Sequence, residues 1–339
     1  MSVPVYDIIE LDSNKGRSGY LKCDIQAGTV VASDINVVNY PNKRYTSNTC
    51  HNCMKFTNEN LSFMCPGCNM KFYCSEKCGS IHQISHSTVC NAYNALKSTS
   101  NSIDSDTYSI ICYVIEVVCL KLSNQNEKYE SLFKQTNKGI TLTIEEKNAC
   151  QLALDLLVSS ISMVNDKLME FCNILWIEDI ISKDKCCGFA IMLPPKTRFS
   201  HISNNANNAS NNSNNEEGLD IADCIRGYGV FPELALFNHS CIPTAARWDV
   251  DGTNGFNQLI GSLRALYDLP AGSEITLSYV PLEWCYADRQ EYLYESYGFK
   301  CDCDRCIVEA QYEVYNAEEE ESNNNNNSNN NNENEDMND

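Results

Sequence analysis

Twelve side chains of this sequence have the type and spacing of ligands for tetrahedral metal ions. Eight fall in four close pairs: Cys50-x2-Cys53, Cys65-x2-Cys68, Cys74-x3-Cys78 and His86-x3-Cys90. Soft thiolates with one imidazole are what two structural Zn²⁺ ions require. In an interleaved arrangement Cys50, Cys53, Cys74 and Cys78 hold one ion, and Cys65, Cys68, His86 and Cys90 hold the other. His82, one helical turn before His86, is the alternative imidazole. Further on, Cys301-x-Cys303-x2-Cys306 offers three thiolates, and a closed site needs a fourth. Cys241 is the natural donor. It belongs to Asn238-His239-Ser240-Cys241, a run of polar and metal-binding side chains leading straight off the apolar stretch Val230 to Phe237. A buried amide, imidazole and thiol each need a partner, so this run is expected to support both a bound ligand and a metal.

The elements that must position these groups can be read coarsely. Tyr20–Cys23, Thr29–Ala32, Cys187–Leu193, Gly261–Leu266 and Glu274–Tyr279 are strand-like. Between Lys15 and Gly19 two glycines flank Arg17 and Ser18 just before a strand, where a backbone can approach a ligand closely; a plain turn is the alternative. Residues 91–180 carry apolar side chains at helical spacing, with Ile110, Ile111, Val114, Val117 and Val118 in one segment. Thr143-x-x-Glu146 has the pattern of a capping box opening a second helix, with Leu152, Leu156, Leu157 and Ile161 on it. Cys112, Cys119, Cys150 and Cys172 read as small buried hydrophobes, and the adjacent Cys186 and Cys187 are poorly placed to chelate one ion. A helix is expected from Leu282 to about Tyr294. Residues 203–217 and the tail from 309 are rich in Asn, Ser and acids and too poor in apolar groups to fold, so both are expected to be disordered.

Composition narrows the function. The 339 residues allow two or three modules, and neither a secretory signal nor an apolar run of membrane-spanning length is evident. An intracellular chain is expected, without preference for nucleus or cytoplasm. Its twenty cysteines therefore read as reduced thiols, many of them on zinc. Net charge is −20, and eight of the acids lie from Glu318 onward, so the rest is still acidic at −12. That disfavours a surface tracking nucleic-acid phosphates and suits a basic polypeptide partner. The absence of a Gly-rich strand-turn-helix argues against a Rossmann-type nucleotide site.

The spacing of residues 50–90, with Phe72-Tyr73-Cys74-Ser75 leading into the third ligand, resembles a MYND zinc finger more than a RING or PHD finger. The wider order is Lys15-Gly16-Arg17, finger, helical segment, Asn238-His239-Ser240-Cys241, Ser278-Tyr279, then Tyr297-Gly298-Phe299 before the last cysteines. Over roughly residues 5–308 it resembles the SET-and-MYND (SMYD) lysine methyltransferases. The resemblance implies an α+β fold in which a β-rich SET domain (1–49 and 181–300) is interrupted by the finger (50–90) and a helical insert (91–180). A zinc-binding post-SET segment (301–308) and an acidic tail (309–339) follow. It implies an S-adenosylmethionine-dependent protein-lysine N-methyltransferase with three Zn²⁺ ions. Lys15, Arg17, Asn238, His239, Tyr297 and Phe299 are then expected at the cofactor, and Tyr279 at the point of methyl transfer. His239 is equally readable as a buried hydrogen-bonding post. The substrate would be a histone or another protein. The rival reading is a non-catalytic adaptor whose finger binds proline-containing peptides. Thr244 replaces the Asn usual after Cys-x-Pro, Cys187 stands where relatives often carry a small polar residue, and a counterpart of the large C-terminal helical lobe is not expected. A more open cleft is expected as a result.

Overall fold

The computed structural model describes residues 4–10, 16–135, 140–161, 166–194, 197, 221–251 and 257–312. Lys15, the Asn-rich run 203–217 and the tail beyond 312 lie outside the described residues.

The amino-terminal strands β1 (Tyr6–Glu10), β2 (Arg17–Leu21), β3 (Val30–Ile35) and β4 (Val38–Pro41) are distributed over three small sheets. The strand near Gly19 begins at Arg17, so Arg17 and Ser18 lie within it rather than in a preceding turn. Next comes the finger, with a short hairpin of β5 (Phe63–Met64) and β6 (Phe72–Tyr73), then helix α1 (Glu76–His86). Each Cys-x2-Cys knuckle closes through a residue at positive φ, Met54 at 57° and Asn69 at 54°, whose backbone N–H bonds back to the first cysteine's carbonyl. Ser75 caps α1, its hydroxyl accepting from the Cys78 N–H at 3.2 Å.

Helices α2 (Cys90–Thr99), α3 (Ser105–Leu122), α4 (Asn126–Phe133), α5 (Ile144–Ile161), α6 (Leu168–Phe171) and α7 (Ile174–Cys187) form the insert. Asp104 caps α3 through the Thr107 N–H at 2.8 Å. From Ile111 to Leu120 every side chain of α3 is buried, which places this helix at the centre of the insert, against α5, α7 and β4. The capping box at α5 forms as its pattern predicts. The Thr143 N–H donates to Glu146 Oε2 at 2.7 Å, and the Glu146 N–H to Thr143 Oγ1 at 3.2 Å. Cys112, Cys119, Cys150 and Cys172 are buried, and none of the twenty cysteines is in a disulfide.

Other boundaries also differ from the sequence expectation: the strand expected over Glu274–Tyr279 ends at Leu277, and two helix ends shift. Cys186 and Cys187 close α7 rather than opening a strand, and β7 (Gly188–Met192) starts at Gly188. A Cβ on Gly188 would sit 2.8 Å from the Asp184 carbonyl, so this tight exit from the helix into an extended backbone requires glycine. The last long helix, α8, runs Tyr286–Tyr297 instead of starting at Leu282. Cys285 caps it, and Gly298 ends it at φ 74°.

Strands β8 (Ile225–Val230), β9 (Asn238–His239), β10 (Ala245–Val250), β11 (Ile260–Ala265) and β12 (Glu274–Leu277) complete the sheets β4-β8-β7, β10-β11-β3 and β1-β2-β12-β9. All pairs are antiparallel except β9 with β12, where Asn238 lies opposite Thr276 and His239 opposite Leu277. Two buried clusters result: one joins finger, insert and β4, and the other fills the sheets around Phe231, Phe237, Leu263 and Ile275. Among the described residues no helix is long and apolar enough to cross a membrane.

Candidate active site and metal centres

The twelve metal-type ligands fall into three groups of four: Cys50, Cys53, Cys74, Cys78; Cys65, Cys68, His86, Cys90; and Cys241, Cys301, Cys303, Cys306. Within each, the ligand atoms lie within 4.8 Å of one another. Zn–S bonds of about 2.3 Å in a tetrahedron imply sulfur–sulfur edges of about 3.8 Å. The edges here are 3.6 Å for Cys53–Cys74 and Cys74–Cys78, 3.7 Å for Cys65–Cys90, and 3.5 and 4.0 Å from Cys241 to Cys306 and Cys301. His86 presents Nε2 to its group, 3.5 Å from Cys68 Sγ. The donor sets fit three Zn²⁺ ions. His82 takes no place among them; its Nδ1 meets the Tyr73 hydroxyl at 3.0 Å.

Around the third group, Arg289 of α8 is wholly buried. Its guanidinium donates to Cys241 Sγ at 3.2 Å, to Cys306 Sγ at 3.7 Å, to the Trp284 carbonyl at 2.6 Å, and to Glu309. A fixed cation beside four thiolates offsets part of their charge, and sequence spacing alone did not single it out. The one available signal is that Arg289 shares the inward face of α8 with Leu293, four residues on.

The Asn238-His239 pair extends from this group toward β2 and β12. Asn238 Nδ2 donates to the Arg17 carbonyl at 3.0 Å, to Ser18 Oγ, and more distantly to Glu274 at 3.4 Å. Ser18 is fully buried and donates to Glu274 Oε1 at 2.5 Å. Among the described residues these contacts all use the amide nitrogen, which leaves the Asn238 carbonyl oxygen as an acceptor for a bound group. Arg17 reaches toward the Lys134 carbonyl at 3.4 Å. His239 bonds on both sides, Nδ1 accepting from the Tyr279 N–H at 2.9 Å and Nε2 facing Cys241 Sγ at 3.2 Å. Burial and the Arg289 charge push its pKa down to about 4. Its ring lies 5.3 Å from that of Tyr279 and 6.1 Å from that of Phe299. Thr244, where an Asn is usual, donates to the Glu274 carbonyl at 2.9 Å and accepts from the Thr276 N–H at 2.8 Å, tying the loop to β12.

Tyr279 stands at the junction of two environments. Its hydroxyl donates to the Phe237 carbonyl at 2.7 Å, and its ring lies 4.9 Å from that of Tyr297. Burial pushes both phenols well above their usual pKa, so both stay protonated. On the far side opens a cavity of about 1190 Å³ between the insert and the sheets. Tyr279, Tyr297, Phe189, Tyr40 and Tyr228 are among its walls, whereas Arg17, Asn238, His239 and Phe299 are not. Cys186 lines this cavity; Cys187 turns inward and is 4% exposed.

The cavity also carries Asp104, Asp106, Glu145, Glu146 and Asp184 against Lys185 and Arg247. Lys185 is already paired with Glu146 at 2.8 Å, which leaves the wall predominantly negative. Burial pushes the Asp184 carboxyl up to about 7. These acids lie on the ends of α3, α5 and α7, far apart in sequence, and no local motif marked them as one wall; Glu146 was singled out only as part of a capping box.

Residues 50–90 match the MYND finger family model. Histone-lysine N-methyltransferase ASHR2 of Arabidopsis thaliana is 28% identical over 87% of this chain and 70% of its own length. A SET and MYND domain-containing protein of Dictyostelium discoideum is 24% identical over 88% of this chain and 81% of its own. N-lysine methyltransferase SMYD2-B of Xenopus laevis is 24% identical over 77% of this chain, which spans about half of that relative (51%). A solved SET domain of LSMT bound to lysine and AdoHcy covers 89% of the chain at 14% identity and a TM-score of 0.39, too loose a likeness to carry an argument.

Proposed function

We propose that this chain, a member of the SET-and-MYND family, is an S-adenosylmethionine-dependent methyltransferase of protein lysines, with histones among the candidate substrates. The observation that carries the reading is the placement of Tyr279 between the polar strand Asn238–His239 and an aromatic, acidic cavity. When bound, S-adenosylmethionine supplies an electrophilic sulfonium methyl. The described residues suited to hold it are Arg17 for its carboxylate, where Lys15 is also expected, the Asn238 carbonyl oxygen for its amino group, and Phe299 for stacking on adenine, with Tyr297 alongside.

The target amine must arrive neutral, although free lysine has a pKa of about 10.4. Packed against the Tyr279, Tyr297 and Phe189 rings of the cavity wall, the ammonium would lose water and more readily lose its proton. The Tyr279 hydroxyl proton is committed to the Phe237 carbonyl, so its oxygen presents lone pairs that can accept from the amine and orient it. The acidic wall supports a lysine flanked by basic residues. Phe63, Met64, Ile81 and Ile84, exposed on the finger, suit an apolar, proline-containing peptide as a second contact.

The test is transfer of labelled methyl from S-adenosylmethionine to core histones and to a whole-cell protein extract, by wild type and by Tyr279→Phe. Label with wild type that falls about a hundredfold in the variant is the expected result. Absence of label with a folded, zinc-loaded wild type, or equal label from both proteins, overturns the reading.

A further inference from the structure

His239 engages protein groups through both ring nitrogens. A backbone N–H can only donate, so Nδ1, 2.9 Å from the Tyr279 nitrogen, presents its lone pair. In the neutral imidazole the proton then sits on Nε2, 3.2 Å from Cys241 Sγ. That sulfur also accepts from Arg289 Nε at 3.2 Å and forms a corner of the third ligand group. Cysteine on zinc is a thiolate, a better acceptor than a thiol. Neither nitrogen is left for a cofactor.

We propose that His239 is a positioning residue through which the Cys241 corner of the third zinc centre places Tyr279. The thiolate selects the Nε2–H tautomer, and that tautomer leaves Nδ1 to hold the Tyr279 backbone. The tyrosine is thus fixed at two points, its N–H by His239 and its hydroxyl by the Phe237 carbonyl. The consequence for catalysis rests on the methyltransferase reading above; the hydrogen-bond chain does not.

Two variants of the full, zinc-loaded chain separate the two bonds. Asparagine places an acceptor where Nδ1 lies and cannot reach Cys241, whereas glutamine reaches toward Cys241 and cannot serve the Tyr279 N–H as well. The kcat of His239→Gln should lie at least about tenfold below that of His239→Asn. Both should bind S-adenosylmethionine within about threefold of each other. Histidine ¹⁵N labelling of wild type, with the His239 signal identified by its loss in the variants, should show a neutral Nε2–H ring. An Nδ1–H ring, equal kcat for the two variants, or a cofactor affinity that moves in step with kcat overturns the proposal. A wild type that transfers no methyl yet shows the Nε2–H ring refutes the enzyme reading and supports the zinc–His239–Tyr279 link.

Discussion

Lys71 and Glu116 join the zinc finger to the central helix of the insert by an ion pair almost wholly removed from water. The Lys71 side chain is 1% exposed, and its Nζ lies 2.5 Å from Glu116 Oε1. The same oxygen accepts the Tyr93 hydroxyl at 2.6 Å, and the ammonium sits 3.8 Å from the centre of the Tyr93 ring. Removing one partner of such a pair costs about 3–5 kcal/mol, because the other charge stays buried and unmatched. Lys71→Met should therefore destabilise the protein by about that amount in urea unfolding followed by helix circular dichroism. The double variant Lys71→Met/Glu116→Gln keeps an acceptor for Tyr93 and removes the stranded charge, so it should recover most of the loss.

The pH dependence has a definite sign. Burial alone would raise the Glu116 pKa, but Lys71, assisted by His82 and Tyr93, holds it below the usual value. Stability from a depressed carboxyl is complete above its unfolded pKa and lost as pH falls through the folded one. In Lys71→Met burial prevails, the folded pKa rises, and the penalty should shrink as pH is lowered from about 8 to about 6. A single variant within about 1 kcal/mol of wild type, or a double variant no more stable than the single, would refute the reasoning.

Three further outcomes follow from particular contacts. Cys306→Ser should lower bound zinc, counted by elemental analysis, from three ions to two per chain and cut methyl transfer, since Cys241, Cys301 and Cys303 alone do not close the centre; retention of three ions would contradict the assignment. A Cβ on Gly19 would meet the Phe237 ring at 2.6 Å, so Gly19→Ala should cost about 1–3 kcal/mol by overpacking, measurable by thermal melting. Asp184 has a folded pKa raised to about 7, so its contribution to stability falls as pH climbs from its unfolded value of about 4 to about 7. Asp184→Asn should accordingly raise the melting temperature more at pH above 7 than near pH 5, while raising KM for a basic peptide; no gain at alkaline pH would show that the carboxylate is solvated.

Much of the molecule was legible in the sequence because it depends on short-range geometry. Ligand type and spacing set the knuckles at Cys50–Cys53 and Cys65–Cys68, since a tetrahedral ion accepts few chain conformations. The Thr143–Glu146 box, the helical period of α3 and the Asn-His-Ser-Cys run are likewise written within a few residues of themselves. Element ends were less legible: the turn from α7 into β7 brings Gly188 too close to Asp184 for any side chain, a contact made only in the folded chain, and α8 begins at its cap on Cys285.

The tertiary structure alone decided which distant groups share a dielectric environment. It set Arg289 against the sulfurs of Cys241 and Cys306, Ser18 on Glu274, Lys71 on Glu116, and the Tyr279 N–H on His239. It also gathered the acids of α3, α5 and α7 around the cavity that Tyr279 lines. The strength of a charge or hydrogen bond depends on how much water its neighbours exclude, and those neighbours come from segments remote in the chain. Residue type and spacing determine what chemistry is available to this protein; through-space burial determines which of those groups act together.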